Sequence, residues 1–274
     1  MKYRRLAHLS DLHLSSSPER AEALVKRLMF DDVDHVVVTG DITHEGAHAE
    51  YALFCDVFAP LLRQGRVTFI PGNHDRTGDD VGHSWMNGRR VRAEQFDGLF
   101  LISVDSTGPH NRSYFASHGD ICHEVLHQVD DAVSTAPAHC IVAVLLHHHL
   151  LPLPEESMPE RLATRLGLPH ACELELGMNM LGRLLGRCDL ILHGHRHIPR
   201  EFEFGTTNNR TLGMYNAGSS TELGAYRLFE HRDGQMRNGP EWQTATTKER
   251  RRSMSRNVIP AIQYALRQLR APFF

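Results

Sequence analysis

The sequence lacks the features that mark secreted or membrane-spanning proteins. Its five cysteines are an odd number and form no Cys-x-x-Cys pair, which argues against a disulfide framework. The longest apolar run, Ile141 to Leu146, is far too short to cross a bilayer. Residues 1–14 include basic side chains but no long apolar segment of the kind found in signal peptides. We therefore expect a cytoplasmic protein that makes no membrane contact.

The chain also lacks a strong charge of either sign, internal repeats and low-complexity tracts. Its formal net charge of −3 over 274 residues gives no general attraction to nucleic acids. The length suits one large domain, alone or with a small appendage. Histidine is abundant, with 20 residues, and because imidazole is a common metal ligand this excess is consistent with a metal site.

Short apolar runs, mostly β-branched, alternate with stretches of helical spacing. The strand candidates are residues 5–10, Val36–Val38, Val67–Ile70, Leu99–Val104, Cys140–Leu146 and Leu190–Leu192. The helix candidates are Glu19–Phe30, Ala47–Leu62, His123–Val133 and Met178–Leu185. The alternation predicts a layered α/β core with parallel pairing. Three strands after Pro199 are expected to form a second sheet packed against the first: Phe202–Thr206, Thr211–Tyr215 and Ala225–Glu230.

Two segments stand apart from a main domain that we expect to span residues 1–240. Residues 150–177 are long and contain four prolines, which is typical of a cap-like insertion. Residues 241–274 form a basic tail, where seven positive side chains minus one negative give +6 between positions 244 and 270. Apolar residues at helical spacing over 258–269 predict a helix there, which either packs on its own domain or forms a homodimer contact.

Five clusters of Asp, Asn and His lie close behind the apolar runs. They are Asp11-Leu12-His13, Gly40-Asp41, Gly72-Asn73-His74-Asp75, His147-His148-His149 and His193-Gly194-His195-Arg196-His197. Open α/β sheets place their functional sites at the carboxyl ends of the strands. Each cluster alone is typical of an ordinary turn. All five together predict a two-metal hydrolytic site.

The spacing within the clusters indicates which side chains share an ion. Asp11 and His13 are two residues apart and would point to the same side of a continuing strand. His195 and His197 repeat that spacing after glycine. The carboxylate of Asp41 has two oxygens and can bridge two ions.

Asn73 offers a neutral amide oxygen as a ligand. The adjacent His74 can donate a proton or, as a cation, steady developing charge. Asp75 is expected to hold His74 in one tautomer by accepting a hydrogen bond from its other ring nitrogen. An Asn-rich turn does not readily explain four such residues at one strand exit.

Three consecutive histidines cannot all bind one site, because successive strand residues alternate in direction. His147 is favoured as the ligand because it comes first after the apolar run, and His149 stays open because it would point the same way. His148 is expected to support the site or to touch the substrate, and His193 to end its strand. His44 and Arg196 lie near enough in the sequence to contact a substrate, but a solvated surface position is the favoured interpretation for each.

The order of these motifs resembles the calcineurin-like metallophosphoesterase superfamily. Its D-x-H, G-D, G-N-H-D, H and G-H-x-H motifs are all intact, over residues 4–230. The wording of residues 8–13, HLSDLH, and 38–43, VTGDIT, is most similar to the bacterial cyclic-nucleotide phosphodiesterase-like branch. The resemblance implies an α/β fold, a four-layer α/β/β/α sandwich of two mixed sheets, as the catalytic domain.

The resemblance also implies two transition metal ions. One would be held by Asp11, His13, Asp41 and His197, and the other by Asp41, Asn73, His147 and His195. His74 would contact the phosphate or protonate the leaving oxygen, with Asp75 orienting it. Ligands that mix carboxylate, amide and imidazole favour Mn²⁺, with Fe, Zn²⁺ and Ni²⁺ open, over Mg²⁺ alone.

The leading functional expectation is a phosphodiesterase that cleaves a cyclic nucleotide or another small diester with metal-activated hydroxide. The alternative is a metal-dependent DNA or RNA nuclease, to which the basic tail could supply phosphate contacts. The acidic remainder of the chain argues against that alternative. A phosphomonoesterase and a non-catalytic scaffold rank lower, since a scaffold should have lost ligands and this chain has lost none.

Overall fold

The computed structural model describes residues 3–151, 174–205, 210–237 and 239–245. Within these ranges the chain forms two mixed β-sheets, each covered by helices on its outer face. None of the helices in this part of the chain combines the length and the apolarity that a bilayer crossing requires. Most of the expected cap segment, 152–173, and the tail from residue 246 lie outside these ranges.

The first sheet is built around three parallel strands from the start of the chain. These strands are β1 (Arg4–Leu9), β2 (His35–Thr39) and β3 (Val67–Ile70). Strand β10 (Ala225–Arg232) pairs antiparallel with β1, and it pairs in turn with β11 (Gln235–Met236) and β12 (Glu241–Thr244). The helices that connect the parallel strands are α1 (Pro18–Phe30), α2 (His48–Val57) and α3 (Ala59–Leu62).

The second sheet has four parallel strands in its centre and an antiparallel strand at each edge. Its spatial order is β4 (Val91–Phe96), β5 (Leu99–Val104), β6 (Ile141–Leu145), β7 (Leu190–His193), β9 (Leu212–Asn216) and β8 (Arg200–Phe204). Helix α4 (His123–Ser134) connects β5 to β6, and α5 (Gly177–Leu184) precedes β7. A short helix, α6 (Ser220–Leu223), leads into β10.

Alternating side chains divide the interior into three cores. In the first sheet, Leu6 and Val37 face the second sheet, whereas the neighbouring residues Ala7 and Val36 pack under the helices. Strand side chains alternate between the two faces of a sheet, so continuous apolar runs cover both faces. The second sheet packs its own outer face against α4 and α5. The predicted four-layer α/β/β/α sandwich of two mixed sheets is therefore confirmed.

The prediction that the strands after Pro199 form a sheet of their own was wrong. Strands β8 and β9 extend the sheet that already contains β5, β6 and β7, whereas β10 crosses to the first sheet and pairs with β1. Apolar runs show that a segment is a strand, but they carry no information about its neighbour. The edge strand β4, where half-buried and exposed positions partly alternate, was not predicted.

Two boundaries also differ from expectation. The helix predicted over 47–62 divides at Phe58, because Pro60 has no backbone N–H and its ring obstructs continuation of the preceding helix. The main domain extends beyond residue 240, since β12 pairs with β10 from Ala225 to Leu228. Cys140 and Cys188 are buried free thiols, as small apolar side chains would be.

A buried histidine lies between the sheets, away from the clusters that the sequence singled out. His35 is 4% exposed, and its Nε2 atom lies 2.9 Å from Oγ1 of Thr68. Its ring packs on Phe96, with the ring centroids 4.1 Å apart. Burial lowers the pKa of His35 to about 4, and the charge of Arg66 acts in the same direction. The folded core therefore holds the neutral imidazole.

Replacing His35 should flatten the loss of stability in acid. Between pH 6.5 and about pH 4 the unfolded chain binds a proton at this residue that the folded chain excludes. The contribution of His35 to the free energy of unfolding is therefore fully present above that window. It falls by on the order of 3 kcal/mol as the pH decreases through the window. In His35→Gln, which can keep a hydrogen bond to Thr68, urea unfolding from pH 7 to pH 4 should show a shallower decline. The exposed His127→Gln is the matched control, and equal acid slopes for His35→Gln and the wild type would contradict the expectation.

Candidate metal centre

The clusters singled out in the sequence meet where the carboxyl ends of both sheets come together. Asp11 and His13 follow β1, Asp41 follows β2, and Asn73 follows β3. His147 follows β6, and His195 and His197 follow β7. The first sheet thus contributes four of these residues and the second sheet three. All of them except His195 and His197 are buried.

The backbone turns that carry these residues are not continued strands. Asp11, His13, Asp41, His195 and His197 all have positive φ, between 40° and 76°. This left-handed region is uncommon for residues other than glycine and costs roughly 1–3 kcal/mol at each position. The expectation that the i and i+2 residues share a strand face was therefore wrong, although the side chains do converge. A left-handed turn aims each of them inward instead.

The first set of donor atoms comprises Asp11, His13, Asp41 and His197, and all four lie within 4.8 Å of one another. Nε2 of His13 lies 3.1 Å from Nε2 of His197, which lies 3.5 Å from Oδ1 of Asp11. Oδ2 of Asp41 lies 3.9 Å from Nε2 of His13.

The second set comprises Asp41, Asn73, His147 and His195. The amide oxygen of Asn73 lies 3.1 Å from Nε2 of His147 and 3.0 Å from Nδ1 of His195. Oδ2 of Asp41 lies 3.3 Å from Nε2 of His147. The same oxygen of Asp41 therefore faces both sets, as a bridging ligand would.

Most of these separations fit atoms that share an ion, and only the 3.9 Å between Oδ2 of Asp41 and Nε2 of His13 is wider. Bonds of about 2.0–2.2 Å place neighbouring ligand atoms on one ion about 3.0–3.6 Å apart. Hydrogen bonds also aim the correct atoms: Nδ1 of His147 donates to the carbonyl of Thr39 at 2.7 Å, which leaves Nε2 for a metal. The backbone N–H of His195 donates to both oxygens of Asp11, at 3.0 and 3.2 Å. The binding of ions by these residues stays a prediction.

Burial and charge oppose each other at the centre. Burial acts to raise the pKa of Asp41, but the adjacent His147 outweighs it, so that this pKa lies well below its usual range. Burial likewise acts against the charged form of His147, while Asp41 raises its pKa to about 9. At His13 burial prevails and lowers the pKa to about 4. A buried carboxylate surrounded by imidazoles is a suitable donor set for cations.

Glycines allow the two sheets to approach at this point. Gly40 has a φ of 87°, and a Cβ atom there would lie 2.5 Å from Nδ1 of His147. A Cβ on Gly72 would overlap the carboxylate of Asp41, and one on Gly194 would overlap Ser10. Close backbone approach therefore requires glycine at these turns.

His74 lies beside the first set rather than within it. Its backbone N–H donates to Oδ1 of Asp41 at 2.9 Å, and its ring centroid lies 4.7 Å from that of His13. Nδ1 of His74 lies 2.7 Å from the carbonyl oxygen of His44, so Nδ1 carries the proton. The rings of His44 and His74 stack with their centroids 5.3 Å apart. His44 thus adjoins the site, as expected.

The structure does not give Asp75 the contact predicted for it. Its carboxylate accepts backbone hydrogen bonds from Thr43 and Gly72, both at 2.8 Å, a weaker one from Ile42, and one from the Thr43 hydroxyl. Burial raises the pKa of Asp75 to about 7, an effect that the charge of Asp41 increases. Asp75 therefore joins the turns after β2 and β3, whereas the tautomer of His74 is set by the carbonyl of His44. Asp75 is therefore a positioning residue.

The middle histidine of the triplet supports the site through a serine that sequence reasoning missed. Oγ of Ser106 accepts from the backbone N–H groups of His147 and His148, and lies 2.8 Å from Nδ1 of His148. Nε2 of His148 donates to the carbonyl of Ser117 at 3.0 Å, so both of its ring nitrogens are engaged. A signal was present, because Asp105-Ser106 follows β5 as the other clusters follow their strands.

His149 and His193 are also buried, but their surroundings differ from those of His148. His149 stacks on His195 with ring centroids 5.9 Å apart, and neither of its ring nitrogens has a hydrogen-bond partner among the described residues. Burial lowers the pKa of both His149 and His193 to about 3. His193 ends β7, as predicted.

A cleft opens above the second set of donor atoms. Its lining residues are Asp41, Asn73, His74, Ser117, His195, Arg196 and His197. Both sets of donor atoms therefore face a space that a substrate can enter, and His74 and Arg196 lie beside it.

The sequence matches a known protein family. Residues 4–199, well over half of the chain, match the family described as calcineurin-like phosphoesterase. The chain belongs to this family. Members of it are metal-dependent hydrolases, so a metal site is expected in this chain, and the two donor sets described above are the candidates for it.

Individual relatives are more distant. The chain is 26% identical over 232 residues to a probable cyclic nucleotide phosphodiesterase of Pseudoalteromonas sp. (strain SM9913), covering 79% of this chain and 78% of that protein. It is 26% identical over 164 residues to the 3′,5′-cyclic adenosine monophosphate phosphodiesterase CpdA of Vibrio vulnificus (strain CMCP6), covering 54% and 56%. A dimetal phosphatase of Danio rerio shares the fold, with a TM-score of 0.58, 12% identity, and coverage of 89% of this chain and 99% of its own.

Gly72→Ala should lower the metal content of this phosphoesterase, because the added Cβ displaces the carboxylate of Asp41. Gly182→Ala is the matched control: it lies in α5, where no atom obstructs a Cβ, and should stabilise the protein by about 0.5–1 kcal/mol. Metal content by elemental analysis and thermal unfolding measure the two effects. Full metal content in Gly72→Ala would contradict the close approach.

Asp75→Asn should destabilise the fold by about 1–3 kcal/mol, because an amide N–H₂ would face backbone donors where a carboxylate oxygen now accepts. The control is Asp79→Asn, where the exposed Asp79 accepts one backbone hydrogen bond, from His48. Its expected effect is within about 0.5 kcal/mol. Urea unfolding measures both variants. Lost hydrolysis at unchanged stability and metal content would instead place Asp75 in the chemistry.

Proposed function

We propose that the chain is a metal-dependent phosphodiesterase that hydrolyses a cyclic nucleotide or another small nucleotide diester. The observation that carries this proposal is the pair of donor sets that share Oδ2 of Asp41 beneath an open cleft. The two curated relatives, both named as cyclic nucleotide phosphodiesterases, support the choice of a diester. Mn²⁺ is the first candidate ion, with Fe, Zn²⁺ and Ni²⁺ as alternatives.

When bound, the ions would supply a nucleophile from water and neutralise charge on the phosphate oxygens. The side chains of the two sets would hold the ions. Asp75 joins the turns after β2 and β3, and Ser106 binds the turn after β6, so this part of the donor geometry exists before substrate arrives.

We propose that His74 acts on the leaving group. Because its Nδ1–H faces the carbonyl of His44, its Nε2 carries a proton only in the imidazolium form. In that form Nε2 can donate the proton to the leaving oxygen. Arg196, which also lines the cleft, adds a guanidinium that suits the negative charge of a phosphodiester.

Asp41→Asn should abolish hydrolysis, because the substitution removes the charge that both ions share. We expect the wild-type protein with Mn²⁺ to cleave bis-p-nitrophenyl phosphate, and a chelator to stop the reaction and lower the melting temperature. Asp41→Asn should lose at least about 10²-fold in kcat and part of its metal. Asp79→Asn is again the control. Equal, metal-independent cleavage by Asp41→Asn and the wild type would refute the proposal.

The choice among substrates requires a panel. It contains 3′,5′-cyclic nucleotides, dinucleotides, lipid diesters, p-nitrophenyl phosphate as the monoester, and single-stranded and duplex DNA at low salt. Preference for the cyclic nucleotides is expected. Metal-dependent cleavage of DNA would favour the nuclease alternative, and absence of bound metal would favour a scaffold.

The C-terminal homodimer contact stays a prediction that sedimentation can check.

A further inference from the structure

We propose that Tyr114 and Phe115 form a stacking platform for the nucleobase of the substrate, an inference that rests on the proposed function. The two aromatic residues occupy the tip of the segment 106–120, between β5 and α4. Tyr114 is 58% exposed and Phe115 is 85% exposed. Adjacent exposed aromatic rings are a binding feature rather than a packing feature.

The segment that carries the platform is closed and internally bonded. At its base, the backbone N–H of Asp120 donates to the carbonyl of Ser106 at 2.9 Å. Inside it, the side-chain amide of Asn111 donates to the carbonyl oxygens of Ala116 and His118, at 2.6 and 3.1 Å. The rings of His110 and His118 stack with their centroids 3.9 Å apart. It is therefore a compact loop that positions its tip.

The loop is also tied to the metal centre. His148, which follows the proposed ligand His147, contacts the loop at two points, one at its base and one near its tip: its Nδ1 faces Ser106 and its Nε2 donates to the carbonyl of Ser117. Near the base of the loop, the guanidinium of Arg76 donates to the hydroxyl of Thr107 at 2.6 Å. The position of the tip is therefore set relative to the donor atoms.

Tyr114 stands at the rim of the cleft. Ser117 lines the cleft, and the ring centroid of Tyr114 lies 6.4 Å from that of His74 in an edge-on arrangement. A substrate phosphate held over Asp41 and beside His74 would place its attached group next to the ring of Tyr114, which Phe115 follows in the chain. Two flat, rigid rings suit a flat partner, and bases stack on aromatic side chains with little dependence on sequence. The matching chemical class is a nucleotide.

Binding to the manganese-loaded full chain tests the platform directly. Adenosine 5′-monophosphate and ribose 5-phosphate carry the same phosphate and differ in the base, and calorimetry gives both dissociation constants. The wild type should bind the nucleotide about tenfold more tightly, and Tyr114→Ala and Phe115→Ala should each reduce that ratio about fivefold or more. Ribose 5-phosphate should bind all variants alike.

The matched control is Phe30→Ala, which removes a ring that is 80% exposed on α1. It should change neither dissociation constant, and Tyr114→Phe should restore the wild-type ratio. A ratio unchanged in Tyr114→Ala and Phe115→Ala overturns the platform, and so does equal weakening of both ligands. An unchanged ratio would also leave a protein or membrane contact as the remaining use of the exposed rings.

Kinetics separate this proposal from the function on which it rests. Thymidine 5′-(p-nitrophenyl) phosphate and methyl p-nitrophenyl phosphate release the same phenolate, and the alanine variants should lower kcat/KM for the nucleoside ester alone. Wild-type cleavage of both esters without that selective loss overturns the platform and leaves the phosphodiesterase intact. Cleavage of neither ester, with base-dependent binding preserved, refutes the phosphodiesterase and supports the platform.

Discussion

The shared, buried carboxylate of Asp41 is the group on which the rest of the site depends. It is 1% exposed, and a charge so far from water persists only where imidazoles or cations surround it. Those imidazoles come from different sheets, His13 from the end of β1 and His147 from the end of β6. The turns that bring them together need glycine at positions 40 and 72, because a Cβ atom there would overlap His147 and Asp41, respectively. The position of the buried charge and the close approach of the backbone turns therefore depend on each other.

Because each sheet supplies part of each donor set, packing between the sheets determines the distances within the centre. The core formed by Leu6, Val37 and Leu101, with their neighbours, holds the sheets face to face. That packing also offsets the left-handed backbone at five of the donor positions. Bound ions would stabilise the folded chain further by binding it in preference to the unfolded one. Fold stability and metal content should therefore change together in variants of these turns.

A protein named as a phosphatase shares this fold, and a sequence relative is named as a probable cyclic nucleotide phosphodiesterase, so the common sheets do not by themselves select a substrate. The loop 106–120 is one place where that specificity can lie. It is joined to the metal-bearing turn after β6 through His148, and it presents Tyr114 beside His74. A buried hydrogen-bonded histidine thus connects the residues that would perform hydrolysis with the residues that would choose the substrate.

The amino-acid sequence determined the residue types and their places at strand exits, because apolar runs followed by Asp, Asn, His and Gly are local patterns. That was enough to predict a layered α/β core and a cluster of polar side chains at the strand ends, whereas the division of those side chains into two donor sets came from the resemblance to the family. Tertiary structure alone decided the partner of each strand, so β8 and β9 joined a sheet that was expected to be separate from them. It also decided that Asp75 joins two turns and that left-handed backbone, rather than strand alternation, aims Asp11 and His13. Strand pairing, backbone handedness and hydrogen-bond partners depend on contacts between residues far apart in the chain, and local periodicity does not encode those contacts.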